Sequence, residues 1–421
     1  MIEDLLYICP LCLQPDAIRS DKTTVCTSCG VRLQRQGRDI VIDGVARPSH
    51  EWYAKICDLP IPRPPAVEIE NNLQFKSGMA VLSQARFAFH WKPNDFQYAH
   101  LELPQRIDRG QLFVTDEELL FRAERRDHIF PLQEITCVTT DSKHFIFRIK
   151  YQFFYQIDFE NESPLKFENW TRRILADFWR SHGDREIIEY QPQIRFRDQQ
   201  QRNGRVSLRL SSAGIMRDRF LDRVVYSFLH MLFAFVLGPV IGTRVIGREK
   251  MPKNGPCIVV LNHEGYWDAY FAQVLLPRRI AFFAKNSEFK NSLFRFVLRI
   301  FRAIPVKRYQ TDASCVRNAL AWLCRDQAVG IFVEGERSWD GLFLPLKRGA
   351  IRLLIAAGMP IVPVRITGSF EMLPRWGRRI ERPRVRLVIG DPINLENNEW
   401  SIDSVGEKIR TALALLGDTR R

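Results

Sequence analysis

The residues best suited to chemistry in this 421-residue chain are a histidine and an aspartate five positions apart, His263 and Asp268. Histidine's proton affinity lies nearest neutrality, at about 6.5 when unperturbed. An aspartate bonded to one ring nitrogen fixes the tautomer and leaves the other nitrogen to accept a proton. No serine or cysteine stands between Asn262 and Asp268. The pair therefore suits direct activation of a substrate hydroxyl rather than a covalent acyl-enzyme. Five residues of regular helix turn by roughly 500°, which would point the two side chains about 140° apart. Contact requires His263 to sit on the turn before a helix that begins near Gly265. The same spacing recurs at His90 and Asp95, but there no apolar run feeds the histidine and Pro93 interrupts the interval.

The elements that must position the pair follow from the pattern around it. The apolar, β-branched run Cys257 to Leu261 predicts a buried strand ending at the histidine. Further on, Ala303-Ile304-Pro305-Val306-Lys307-Arg308 predicts a short strand ending in bases. Ile331-Phe332-Val333-Glu334-Gly335-Glu336-Arg337-Ser338 predicts a strand opening into a glycine turn, and Met359 to Val364 a buried strand edged by prolines. Helical stretches over 314–325 and 350–357 separate them. Strands alternating with helices imply an α/β domain with a mostly parallel sheet, whose sites lie where strands end and helices begin.

The stretches NHEGYWD, IPVKR, FVEGERS and PIVPV, in this order, resemble the four sequence blocks of the glycerolipid and lysophospholipid acyltransferase superfamily, which includes the 1-acylglycerol-3-phosphate acyltransferases. The resemblance covers roughly 215–400. It implies transfer of a fatty acyl group from acyl-CoA or acyl-carrier protein to a hydroxyl of glycerol phosphate or a lysophospholipid. It implies His263 as general base, Asp268 as its orienting partner, and Arg308, Glu334, Gly335 and Arg337 as acceptor-binding residues, with the arginines on the phosphate. Guanidinium forks suit phosphate, a carboxylate can hold a hydroxyl, and glycine lets the backbone come close. The chain departs from the pattern at Val333, where proline is usual, and at Glu336, where a small or hydroxylated residue is common. Glu336 places extra negative charge beside the implied phosphate site.

Near the start, Cys9-Pro10-Leu11-Cys12 and Cys26-Thr27-Ser28-Cys29 form two paired knuckles separated by thirteen residues. Each knuckle presents two sulfurs to one ion, and four thiolates satisfy tetrahedral zinc. The segment 1–45 resembles a zinc ribbon with structural zinc on Cys9, Cys12, Cys26 and Cys29; redox chemistry is the alternative use of such pairs. Residues 46–100 hold a stiff linker, Ile61 to Pro65, and an unassigned stretch. Over 101–185 short alternating strands are followed by a helix with Phe167, Trp170, Ile174, Leu175 and Phe178 on one face, a pattern resembling the PH/GRAM superfold. Residues 186–213 read as a linker or hairpin, and 214–421 as the acyltransferase domain. The fold class expected is thus multidomain: a zinc ribbon, a β-rich PH/GRAM-like domain and an α/β acyltransferase domain.

Charge and hydropathy bound the partners. Of 62 Lys and Arg and 48 Asp and Glu in the chain, 24 basic and only ten acidic residues lie between Lys250 and Gly390, so the excess sits with His263. Such a surface suits phosphates, an anionic leaflet or an acidic carrier protein. Nucleic acid is not expected, because no basic groove interleaved with aromatics is evident. Val224 to Ile241 is the most apolar run, eighteen residues with basic flanks on both sides. It reads as a helix sunk into one leaflet or as a buried core helix, since a span needs about twenty residues. Met1-Ile2-Glu3-Asp4 carries acid where a secretory leader carries base, and nine cysteines with two CxxC pairs suit a reducing compartment. These readings place the protein on the cytoplasmic face of a membrane, monotopic or peripheral, with membrane lipids, the acyl donor and a protein bound by the ribbon as partners. A function of another class stays open: a catalytically lapsed platform that binds lipid or protein. The retention of His263, Asp268 and Glu334 together argues against it.

Overall fold

The computed structural model describes residues 2–21, 23–57, 59–61, 73–91, 99–141, 143–149, 154–182, 224–228, 230–232, 235, 242–306, 313–377, 380–381, 384–395 and 401–417. The chain divides into two compact units, one from Met1–Ala88, Glu102–Tyr190 and Trp376–Arg378, the other from Phe89–Leu101, Gln191–Arg375 and Arg379–Arg421. Arg308, the hairpin or linker expected over 186–213, Asp95 and much of Val224 to Ile241 lie outside the described residues.

The first unit holds two sheets. Strands β1 (Ile18–Ser20), β2 (Thr24–Cys26), β3 (Arg32–Gln36), β4 (Asp39–Ile42) and β5 (Val45–Pro48) pair in sequence order, each antiparallel to the next. The second sheet comprises β6 (Leu73–Trp91), β7 (Ala99–Thr115), β8 (Glu118–Ala123), β9 (His128–Pro131), β10 (Ile135–Asp141), β11 (His144–Ile149) and β12 (Phe154–Phe159) in the order β10-β11-β12-β6-β7-β8-β9. β6 falls in the stretch left unassigned by the sequence. Its buried positions switch from odd (Phe75, Ser77) to even (Ala80, Leu82) around Gly78, so no single alternation runs along it. The helix Pro164–Ser181 buries Phe167, Trp170, Ile174 and Leu175, while Phe178 is only partly covered and stacks on His182.

The second unit is built on β13 (Arg244–Ile246), β14 (Cys257–Leu261), β15 (Ile280–Lys285), β16 (Ile304–Val306), β17 (Ala328–Phe332), β18 (Ile361–Thr367) and β19 (Arg386–Ile389), in the order β13-β19-β18-β14-β17-β15-β16. Every pairing is parallel except β18 with β19. Central β14 is buried along its whole length, which its unbroken Cys-Ile-Val-Val-Leu run requires. Val259 and Leu261 pack into one apolar cluster with Phe271 and Val364, Ile258 and Val260 into another with Trp322 and Leu354. Register then sets the functional edge. Leu261 pairs with Phe332 on one side and Val364 on the other, so residues two beyond Leu261 and two beyond Phe332 emerge side by side.

Among the described residues, no helix is long and apolar enough to cross a membrane. Residues 224–228, 230–232 and 235 are helical, with Val224, Phe228, Met231, Leu232 and Phe235 exposed and Tyr226 packed edge-on against Phe301.

Gly330 in β17 sits beneath the Phe282 ring of β15; a Cβ there would lie 2.2 Å from a ring carbon. Gly330→Ala is expected to cost about 1–3 kcal/mol through overpacking, read as a lower denaturant midpoint than wild type.

Candidate active site

The histidine turn is held from three directions. Asp268 is fully buried, and its Oδ2 accepts from His263 Nδ1 at 2.9 Å, from the Glu264 N–H at 2.7 Å and from the Gly265 N–H at 2.8 Å. The expected contact is therefore made, but the helix begins at Asp268 rather than near Gly265, running Asp268–Leu275. The physical reason is that the carboxylate takes the N–H groups of 264 and 265 for itself, so this stretch folds as a turn around Asp268. With Nδ1 donating to Asp268, Nε2 is the nitrogen that can accept a proton. The His263 ring stacks on Phe332, centroids 4.3 Å apart.

The β17 loop holds the backbone of the same residue. His263 N–H donates to Glu334 Oε1 at 2.9 Å, and the Ser338 N–H donates to the His263 carbonyl at 3.0 Å. Glu334 Oε2 in turn accepts from the Leu344 N–H at 2.7 Å. Glu334 is thus 1% exposed, with each oxygen accepting a backbone N–H, and it braces the backbone of His263. Burial pushes its carboxyl up to about 7, against the pull of the Leu344 and His263 N–H bonds.

Gly335 adopts φ +71°, and a Cβ there would lie 2.9 Å from Lys347 Cγ, so glycine is required twice over. The Arg337 guanidinium lies over the Tyr266 ring at 5.4 Å. Glu336, the departure noted above, lies 3.7 Å from Lys347 Nζ and 3.4 Å from Arg375 Nη1. Its charge is balanced inside the loop. The structure brings together His263, Asp268 and Glu334 by direct bonds, with Gly335 and Arg337 on the same loop; Arg308 lies beyond the described end of β16.

Three further groups carry the site and were not foreseen. Asn262 exchanges both amide bonds with the Ile366 backbone, at 2.7 and 2.9 Å, carrying the β14–β18 ladder one step further. Glu264 pairs with Arg365 at 2.8 Å, and both are largely buried. A Cβ on Gly265 would lie 2.6 Å from the Ser369 carbonyl oxygen. The available signal was a charge inside an otherwise apolar strand, Arg365 in VPVRIT.

In the first unit, Cys9, Cys12, Cys26 and Cys29 present sulfurs that all lie within 4.8 Å of one another, among them Cys9–Cys29 at 3.8 Å and Cys12–Cys26 at 3.6 Å. Tetrahedral zinc with Zn–S bonds of about 2.3 Å needs sulfurs about 3.8 Å apart, so the donor set fits. Both knuckles close alike: the Leu13 N–H bonds to the Cys9 carbonyl and the Gly30 N–H to the Cys26 carbonyl, each at 2.9 Å, and both closing residues take positive φ. The Gln14 backbone bond lowers the Cys12 thiol to about 7. The cluster could bind a metal.

Residues 242–367 match the Acyltransferase family model. The chain carries a domain of the acyltransferase superfamily. Relatives of that superfamily include a chloroplast 1-acyl-sn-glycerol-3-phosphate acyltransferase of Brassica napus, 26% identical over 48% of this chain and 60% of its own. The 1-acyl-sn-glycerol-3-phosphate acyltransferase of Bacillus subtilis is 27% identical over 40% of this chain and 83% of its own. The crystal structure of the 1-acyl-sn-glycerophosphate acyltransferase PlsC from Thermotoga maritima superposes with TM-score 0.41 at 25% identity, covering 49% of this chain and 86% of that one. The chain thus spans 60% of the Brassica relative's length. The acyltransferase match encloses His263, Asp268, Glu334 and Arg337, and ends before β19.

The raised Glu334 carboxyl gives a pH test. An exposed glutamic acid loses its proton near 4.5, folded Glu334 near 7. Between these values the folded chain binds more protons than the unfolded one, so this group's contribution to stability falls as pH rises and is flat above about 7. Unfolding midpoints of wild type and Glu334→Gln measured from pH 4.5 to 8 should show that downward contribution in wild type only; parallel curves would refute the assignment.

Proposed function

We propose that the protein is a membrane-associated O-acyltransferase that moves a fatty acyl group from a thioester donor, acyl-CoA or acyl-carrier protein, to a hydroxyl of a lysophospholipid or glycerol phosphate. The observation that carries it is the His263–Asp268 bond inside a segment matching the Acyltransferase family. The relatives' names, 1-acyl-sn-glycerol-3-phosphate acyltransferases, favour a phosphate-bearing acceptor.

In this reading Nε2 of His263 takes the proton from the acceptor hydroxyl as its oxygen attacks the thioester carbonyl. Asp268 stabilises the imidazolium that forms. The C–S bond then breaks, the ester forms, and the departing sulfur receives the proton from His263. Glu334 holds the histidine backbone, so its role passes from acceptor ligand to positioning. Arg337 and Arg308 remain the guanidinium groups assigned to the acceptor phosphate. The charge balance of Glu336 by Lys347 and Arg375 supports this, because the loop then presents no net extra negative charge to the phosphate.

The amino-terminal parts are assigned localising roles. The Cys9, Cys12, Cys26, Cys29 cluster is read as structural zinc in a ribbon that a protein partner can engage, and the seven-stranded sheet closed by one helix as a PH/GRAM-like module. Membrane association draws on the helical residues from Val224 to Phe235. Their exposed apolar positions fall at spacings of four, three, one and three, one face of a helix suited to lying in a leaflet on the cytoplasmic side.

Labelled acyl-CoA and acyl-carrier protein, offered with a panel of lysophospholipids and glycerol phosphate, should give product with wild type. His263→Ala should fall at least about a hundredfold, the loss of a general base. No product from any pair would end the acyltransferase reading. Separately, elemental analysis of the purified chain should find about one zinc per chain, with Cys29→Ser markedly depleted; metal-free wild type kept reduced would end the ribbon assignment.

A further inference from the structure

The helix Ser292–Ile300 is the crossover between β15 and β16, and crossover helices normally bury their apolar side chains on the sheet. This one does so only at its far end, where Ile300 is buried and Leu298 packs toward Phe289 and Ala303. In its first turns the large apolar side chains face water: Leu293 is 68% exposed, Phe294 41% and Phe296 45%. The placement is built rather than frayed, because the Asn291 side chain caps the helix by accepting from the Leu293 and Phe294 N–H groups at 2.9 and 3.2 Å.

The position of this cluster follows from the sheet. β14, β17 and β15 run parallel, so Lys285 at the end of β15 emerges at the same edge as His263 and Glu334. Only Asn286–Lys290, Asn291 and Ser292 separate that edge from the exposed Leu293. The other end of the helix leads into Phe301, which meets Tyr226 of the helical segment already assigned to the leaflet.

We infer that the start of the Ser292–Ile300 helix is a second lipid-docking face, inserting Leu293, Phe294 and Phe296 into an anionic bilayer so that the His263 edge of the sheet faces the membrane. This rests on the acyltransferase reading for its purpose, since an amphiphilic acceptor would then reach His263 from the bilayer, but not for its test. Charge favours an anionic lipid surface over a second copy of the chain. Lys290 is exposed just before the helix, Arg295 and Arg299 lie along it, and the domain around it holds the chain's whole basic excess, which would repel itself. Apolar side chains flanked by bases find both their partners in acyl chains and lipid phosphates.

The test is flotation of the full chain with vesicles of phosphatidylcholine containing a quarter phosphatidylglycerol, comparing wild type with Leu293→Gln/Phe296→Gln. Each large side chain removed from the apolar phase weakens partition about tenfold, so the double variant should bind about a hundredfold less. Because both positions face water, its thermal midpoint should match wild type; should it unfold, Leu293→Ala/Phe296→Ala is read instead. Turnover of a detergent-dispersed lysolipid should survive while turnover on vesicles falls. Unchanged partition overturns the inference. So does an equal loss of turnover on dispersed substrate, which would place these residues in the acyl-binding cleft. A wild-type dimer that the variant converts to monomer without loss of vesicle binding overturns it in favour of self-association. A wild type that transfers no acyl group defeats the functional proposal alone and leaves the partition result to decide this one.

Discussion

The candidate site depends on one buried carboxylate. Asp268 Oδ2 gathers the His263 ring and the N–H groups of Glu264 and Gly265, so a single oxygen both shapes the turn and fixes the tautomer of the histidine on it. A carboxylate this buried is tolerable only when several N–H groups converge on it. Asp268→Asn would keep the size and an acceptor oxygen at the Oδ2 position, but it would remove the negative charge that strengthens all three bonds and stabilises an imidazolium. Turn and tautomer are therefore not separable properties here. The second support is equally local: the Glu334 carboxylate and the Ser338 N–H take the two backbone groups of His263, so β17's loop sets the backbone and Asp268 sets the ring.

Several charges around the His263 turn are arranged in closed sets. Glu264 answers Arg365, whose guanidinium also lies 4.0 Å from the Phe343 ring centroid. Glu336 answers Lys347 and Arg375, and Arg375 further donates to the Arg337 carbonyl and covers Trp339. Pairs of this kind contribute little net stability against apolar substitutes, yet breaking one by removing a partner is costly. What they secure is the shape of the two loops that meet at His263. Glu336 illustrates the point: read alone it is a charge in the wrong place, and the contacts with Lys347 and with Arg375, 39 residues away in the chain, balance it.

The strands, the His263–Asp268 contact and the cysteine cluster were legible because each is written in short-range pattern. An unbroken apolar run marks a strand buried on both faces, and CxxC spacing marks two sulfurs on one turn. The start of the site helix was misplaced because a carboxylate's claim on backbone N–H groups leaves no trace in periodicity. The bracing contacts of Glu334 leave no trace in the sequence for the opposite reason: resemblance marks the residue, but only register across β14 and β17 shows each oxygen accepting a backbone N–H. β6 escaped notice because its buried parity changes at Gly78, where the Gly78 N–H turns aside to bond Glu162.

The same dependence on distant partners governs the amino-terminal unit. Lys166, on the helix Pro164–Ser181, is 2% exposed and bonds Asp16 at 2.5 Å and Glu162 at 2.6 Å. Asp16 follows the first cysteine knuckle and takes φ +52°, a conformation that costs a non-glycine residue about 1–2 kcal/mol. Tyr7, just before that knuckle, lies edge-on to Trp170 and accepts from Asn169, which also donates to Tyr53. The helix that closes the seven-stranded sheet is thus bonded to residues on both sides of the Cys9–Cys12 turn. An ion on the four sulfurs would fix that turn, and with it Tyr7 and Asp16. Losing the ion would loosen Asp16, one partner of that buried lysine, so the metal's contribution would extend past the cysteine turns into the helix of the adjoining sheet.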